Sequence, residues 1–475
     1  MSSMLRLQFI VAVLLSAATL SAYGLEAPTP LKIHDIALPW KIKMGDEAQT
    51  TAVDEGFNTI VFLGRQLIRP DVYDTILQIS RLDGEGTSAR YKTPVPLAEN
   101  CYADARTVAL SPDGRWLALG LGHDAEQGSS PLKIIDLPRY TGCSPGKAVQ
   151  LMSVPSEGRY VLSFNGNSDR LAVGQPFATS AQSSWGEGPS QGFVAEYTLS
   201  GDASWSLKDL TDRYLFGSFN RPNYYAGFGS SFIVSADGST KAIMVAGEGA
   251  SPGPYSRNPA TPKLVLQKSK FPDAIFDMEK HNRYQVEGNR LAMDSSGRTA
   301  VSVVSADGAN DSDQPLLYSF DFRTDNWHRS EYKNIDFLSC FPSDRPASQD
   351  SVTLLDVVMS EGRGRLLVTV NAWDRATNDS PEGRTGICVF SREGAEDWEL
   401  MTEASQAISA ALHNSIDERF IVDQRHIHKL QGNSDLTKIL VSSVAYAIVL
   451  ELKWDELEAA SPGLPVWLLY EASKS

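Results

Sequence analysis

Cysteine is scarce in this 475-residue sequence: there are four, and no two stand in a Cys-x-x-Cys pair. That spacing is what a zinc ribbon or a dithiol redox site needs, so neither is expected. Histidine is nearly as sparse, at seven, and is spread along the chain. The nearest two, His426 and His428, alternate in HIHKL and read as surface residues of one strand. No His-Glu-x-x-His motif occurs, and the glycine-rich segments lack the lysine of a phosphate-binding loop. Basic residues are in the minority, 43 against 58 acidic, for a net charge of -15. Such a surface repels a phosphate backbone, so nucleic acid is not an expected partner.

Long apolar runs are also few. Leu7 to Leu20 follows Arg6 and leads to Ala22-Tyr23-Gly24, the pattern of a secretory signal peptide over residues 1–24. The alternative is an uncleaved anchor, although the run is shorter than the ~20 residues that span a bilayer. Ile439 to Leu452 is apolar but contains Ser442, Ser443 and Glu451, and is read as one or two buried strands, so no membrane span is expected once the signal is removed. In a secreted or periplasmic protein the four cysteines pair as disulfides. The pairs Cys101–Cys143 and Cys340–Cys388 are each local to one repeat, and two other pairings are formally open.

What the chain has in quantity is turn formers, 36 glycines and 25 prolines, set between short apolar strands. The stretch Phe228 to Gly247, FGSSFIVSADGSTKAIMVAG, is an apolar strand, an Asp-Gly turn and a second apolar strand. Its counterparts include TVALSPDGRWLALG from Thr107, YVLSFNGNSDRLAVGQP from Tyr160, RLAMDSSGRTAVSVVSADG from Arg290 and DVVMSEGRGRLLVTVN from Asp356. Gly114, Gly166, Gly238, Gly297 and Gly362 are read as equivalent corners of these hairpins. In most units a second hairpin follows, which makes a four-stranded antiparallel sheet too thin to bury its own faces. The expected fold is therefore all-β, a seven-bladed β-propeller over residues 54–471, preceded by a lead-in at 25–53 that runs over the domain or closes it. An array of β-sandwiches is the competing architecture.

The first unit is marked by Phe57 to Gly64 and Asp74 to Leu82. The seventh is degenerate: Ala407 to Asp423, Ile439 to Leu452 and Val466 to Tyr470. Glu403 to Leu412 and Trp454 to Ala460 also read as short helical turns. Trp205, Trp327 and Trp398 each follow an apolar strand and a polar turn, and are read as wedges between neighbouring blades.

The run Phe228-Gly229-Ser230-Ser231, the segment Leu171 to Pro176 and the close Gly192 to Tyr197 with Trp205 together resemble the FG-GAP repeat, the blade unit of integrin α-subunit propellers. The likeness spans residues 104–400. It implies a propeller used for adhesion, glycan binding or protein docking, with enzymes as occasional members. The family's calcium loops are not matched in order. Asp307, Asn310, Asp311 and Asp313 nevertheless form an acidic cluster that is a calcium candidate beside its reading as an ordinary solvated turn.

The functional reading is a non-catalytic binding propeller that docks an extracellular or envelope protein or a glycan through long inter-strand loops. Trp185, Tyr255 and Trp373 supply aromatic faces, and Asp124, Asp311 and Asp374 supply acids in equivalent loops. If those acids converge at one mouth of the channel, the alternative is a hydrolase or lyase acting on an extracellular polymer. A structural subunit of an envelope or cell-surface assembly is the third reading.

Overall fold

Alternating apolar strands broken by Ser, Asp, Asn and Gly fold into seven antiparallel sheets in the computed structural model. It describes residues 31–36, 51–69, 72–84, 90–92, 94–97, 105–121, 132–140, 149–152, 161–175, 193–212, 225–226, 231–248, 261–277, 291–304, 315–341, 351–362, 364–394, 397–415, 427–443 and 447–459.

Blade 1 is built on Thr51–Val53, Thr59–Arg69, Val72–Asp83 and Val95–Pro96, and blade 2 on Ala105–Leu110, Trp116–Leu121, Leu132–Asp136 and Val149–Met152. Blade 3 comprises Val161–Phe164, Arg170–Gln175, Phe193–Leu199 and Trp205–Asp212, and blade 4 comprises Ser231–Val234, Thr240–Glu248, Thr261–Lys268 and Ala274–Asp277. Blade 5 takes Leu291–Met293, Thr299–Val304, Leu316–Arg323 and Asn326–Tyr332, and blade 6 takes Ser351–Met359, Arg365–Trp373, Gly383–Ser391 and Glu399–Leu400. Blades 1 and 4 each add a two-residue strand, Arg90–Tyr91 and Tyr225–Ala226.

Blade 7 joins the two ends of the described chain. Its strands Ile427–Gly432, Lys438–Ser443 and Ala447–Leu452 are followed outward by Leu31–Ile36, which pairs antiparallel with Ala447–Leu452 from Leu31↔Leu452 to Ile36↔Ala447. The ring is thus closed by hydrogen bonds between segments about four hundred residues apart in sequence.

No blade has a core of its own. Seven apolar clusters each lie between two consecutive blades, which is the arrangement of a propeller and not of separate sandwiches. Val161, Ala172 and Val194 of blade 3, for example, meet Phe232, Ile243 and Val265 of blade 4. The recurrent tryptophans are the expected wedges. Trp205 packs edge-on to Trp116 at 5.6 Å between blades 2 and 3. Trp327 lies between blades 4 and 5, and Trp398 between blades 5 and 6, where its Nε1 donates to Ser319 Oγ.

A side chain closes every inner strand. Asp54, Ser111, Asn165, Ser235, Asp294, Ser360 and Asn433 end the seven inner strands, and each accepts a hydrogen bond from the backbone N–H five residues on, at 2.8–3.1 Å. Short side chains with an oxygen one or two bonds from Cβ are what such a turn requires. This corrects the expectation that five glycines mark the corners. Gly114, Gly238 and Gly297 do occupy the left-handed position three residues after the closing residue, but Phe57, Ser168 and Leu436 fill it in blades 1, 3 and 7. Gly166 lies one residue after its closing residue, where a Cβ would come within 2.6 Å of Ala236 in the next blade. Gly362 is two residues after Ser360.

The degenerate seventh unit is also corrected in part. Ile439 to Leu452 does supply two strands, but all of the described part of Ala407 to Asp423 is helix α1, Thr402–Ser415. The outer strand of blade 6 is only two residues long, and α1 covers the rest of the exposed edge: Ser405 Oγ accepts from Val389 N at 2.8 Å and Ser409 Oγ from Ile387 N at 2.9 Å. The serines are four apart, so one helix face satisfies backbone donors that a strand would otherwise take. Helix α2, Trp454–Ala459, follows blade 7. Val466 to Tyr470 lies outside the described residues.

Cys340 and Cys388 are bonded, with Cα atoms 5.2 Å apart. The bond ties a 3-10 turn, Phe337–Cys340, to the third strand of blade 6. Cys101 and Cys143 lie outside the described residues.

Candidate functional site in the central channel

The inner edges of all seven blades surround a channel of about 300 Å³. Its wall mixes aliphatic residues, among them Ala52, Ala109, Leu162, Ile233, Met293 and Val358, with polar ones, Glu55, Ser163, Lys429 and Gln431, and most of the surface it exposes is polar.

One mouth is formed by the turns that end the inner strands, and neighbouring turns are bonded in a ring. Glu55 N donates to Pro112 O at 2.9 Å, and Ala236 N donates to Ser295 O at 3.1 Å. Asp113 N donates to Ser168 Oγ and Asn165 Nδ2 to Ala236 O, at 3.1 and 2.9 Å. Ser295 bonds the Glu361 carboxylate, Glu361 N donates to Ser434 O, and Ser434 N returns to Glu55 Oε1 at 2.6 Å. The mouth is therefore pre-formed and acidic. Desolvation, then the nearby Glu55 and Asp294 charges, raise the Glu361 carboxyl above the ordinary glutamate range.

At the opposite end of this cavity is Lys429, on the inner strand of blade 7 and 5% exposed. No described group accepts a hydrogen bond from its ammonium. Its nearest countercharge is Asp356, on the inner strand of blade 6 and 1% exposed. The Asp356 carboxylate is directed at backbone donors: Oδ2 accepts from Leu430 N at 2.8 Å and Oδ1 from Val357 N at 2.9 Å. Both residues follow breaks in strand register, Leu354/Asp356 and Ile427/Lys429, where a bulge turns a polar side chain out of the apolar alternation. Burial lowers the Lys429 amine from the usual lysine value, and Asp356 offsets that in part.

Register extends the polar level around the ring. Lys429 and Asp356 each stand four residues before the closing residue of their strand, and so do Thr107 in blade 2 and Ser231 in blade 4. The hydroxyls of Thr107 and Ser231 are buried and have no partner among the described residues.

Trp185, Tyr255, Asp124, Asp311 and Asp374 lie outside the described residues, as do Asp307, Asn310 and Asp313 of the calcium candidate. Trp373 ends the second strand of blade 6, paired with Gly383, and its side chain is outside the described set. Among the described residues no group of three or more His, Cys, Asp or Glu is arranged to hold a metal, and no helix is long and apolar enough to cross a membrane. Lys429 itself was missed, although it adjoins the HIHKL histidines. The available signal was a lysine inside an apolar inner-strand position.

Fold and channel together define a seven-bladed β-propeller of four-stranded antiparallel blades, a scaffold suited to binding or to hosting a catalytic site. No protein-family model matches the chain, and no curated protein matches it. Among solved structures it is similar to an oligogalacturonate lyase in complex with manganese, at 12% identity and a TM-score of 0.41, over 91% of this chain and 93% of that one. It is also similar to TolB from Acinetobacter baumannii, at 12% identity and a TM-score of 0.32, over 60% of this chain and 54% of that one. Likeness at this level concerns the fold alone. Nothing in it singles out the FG-GAP repeat.

Proposed function

We propose that the protein is an exported binding propeller whose central channel receives part of an extracellular or envelope ligand, a protein segment or a glycan, through the mouth at Glu55 and Pro112. The observation that carries this reading is the channel itself, walled by all seven inner strands and ending on the buried charge of Lys429. A concave site of this size in which polar groups from several strands converge has room for the end of a ligand. The innermost strand of each blade also presents one unpaired backbone edge toward the axis, which favours a ligand that can exchange hydrogen bonds with it. The signal-like N-terminus and the Cys340–Cys388 bond support export to an oxidising compartment. Membership of the FG-GAP group is part of the same proposal, resting on the motif resemblance.

The test is binding of the mature protein to glycan and peptide arrays beside Ser163→Trp, which places a large side chain in the channel wall. Loss of the array signal in that variant, with its circular dichroism unchanged, is expected; an unaltered signal removes the channel from the account.

A second reading, a polymer-cleaving enzyme on the same scaffold, is favoured by the Lys429 amine, because a lysine lowered by burial is closer to giving and taking protons near neutrality. Release of new reducing ends from a polysaccharide panel, abolished in Lys429→Met, would establish it over simple binding.

A further inference from the structure

A buried ammonium without an acceptor is costly, and Lys429 has none among the described residues. Asp356 directs its two oxygens at the backbone N–H groups of Val357 and Leu430. Thr107 and Ser231 leave two further buried hydroxyls unbonded at the same register level, in the inner strands of blades 2 and 4. The Lys429 ammonium at the end of the channel thus lacks a partner among the described residues, and a bound acceptor would provide one. Taking the channel as the binding site, we propose that the ligand group received at its floor is a terminal carboxylate, bonded by the Lys429 ammonium.

Charge selects a carboxylate over a phosphate. Asp356 already places one negative charge beside Lys429, so a second single charge is tolerated where a dianion would be repelled. The rest of the ligand passes Glu55 and Glu361 at the mouth, which opposes further acids along it. From Lys429 to that mouth is roughly 15 Å, about five extended residues at ~3.3 Å each. The ligand therefore enters acid end first, with a slim neutral or basic remainder. A peptide C-terminus and a chain-terminal uronic acid share this chemistry. Asp356 is a positioning residue, fixing the blade 7 strand through Leu430 N and supplying a field that favours the charged form of the amine.

The experiment is calorimetric titration of the mature protein with tri-alanine, glucuronic acid and acetate, each against its amide or methyl ester. Wild type should bind at least one acid and not its neutral counterpart. The loss in Lys429→Met should be at least about tenfold, the scale of a hydrogen bond to a charged group. Lys429→Gln serves as a second variant if Met disturbs folding. Affinity should also fall as pH rises through the lowered lysine titration, below where an exposed lysine deprotonates. Peptide against uronate binding separates the two ligand sources. Equal binding of acids and esters, equal binding by Lys429→Met, or no heat from any probe overturns the assignment. If Ser163→Trp abolishes array binding while Lys429→Met leaves it intact, the channel stands and the carboxylate inference alone fails.

Discussion

Removing the Asp356 carboxylate tests the channel floor most directly. Asp356→Ala frees two buried backbone donors, Val357 N and Leu430 N, and takes away the countercharge of a lysine that is 5% exposed. Two unpaired buried amides and the lost countercharge together cost about 3–5 kcal/mol, the charge acting through its field and not through a hydrogen-bonded pair. Lys429→Met keeps most of the side-chain volume and removes the desolvated amine, so its stability should equal or exceed that of wild type. In the double variant only the two freed amides remain as a penalty, about 2 kcal/mol. The single costs therefore should not add: a coupling on the order of 1–3 kcal/mol is expected from urea unfolding followed by far-ultraviolet circular dichroism at neutral pH. Additivity within about 0.5 kcal/mol would refute the claim that the two side chains act as one unit. The pH dependence carries an independent sign. The folded-state amine is lowered, so between that titration and the unfolded lysine value of about 10.4 the unfolded chain binds more protons, and stability rises with pH across that window. Lys429→Met should flatten this alkaline rise.

Other parts of the ring yield expectations of their own. Replacing Cys340 and Cys388 by serine reopens a loop with a sequence separation of 48 residues, which chain entropy values at about 4 kcal/mol, and reductant should lower the melting temperature of wild type by more than that of the double serine variant. Deleting Leu31–Ile36 removes the outer strand of blade 7; the remaining chain should unfold less cooperatively in calorimetry and expose Ala447–Leu452 to amide exchange. Arg392 donates to Asp321 Oδ1 at 3.0 Å and to Thr299 Oγ1 at 2.7 Å across the blade 5 and 6 interface, so Arg392→Met should cost about 3 kcal/mol, seen as a lower urea midpoint. The Glu451 carboxyl is held below its ordinary value, first by its hydrogen bond from His34. Its contribution is present above the unfolded glutamate value near 4.3 and is lost as pH falls through the lowered folded value, so Glu451→Gln should remove that part of the acid-limb slope.

Much of the architecture was legible because strand alternation, Asp-Gly turns and repeated tryptophans are local signals. Ser111-Pro112-Asp113-Gly114 states its turn in four residues, and Trp205, Trp327 and Trp398 carry their interblade position in their spacing. Glycine was a less faithful marker than it looked, since Phe57, Ser168 and Leu436 adopt the same left-handed backbone where the five-residue side-chain bond holds the turn. Helix α1 was legible only as short turns, because its place on the edge of blade 6 depends on Ser405 and Ser409 meeting donors of another strand.

By itself, then, the order of residues determined that this chain makes short amphipathic strands in groups too thin to stand alone. Which groups touch, that Leu31–Ile36 completes a sheet begun at Ile427, and that Lys429 and Asp356 come together at the bottom of one cavity were decided by closure of the ring. The physical reason is range: hydrophobic period and turn chemistry act over a few residues, whereas the field on a buried amine is set by groups that only folding brings near it.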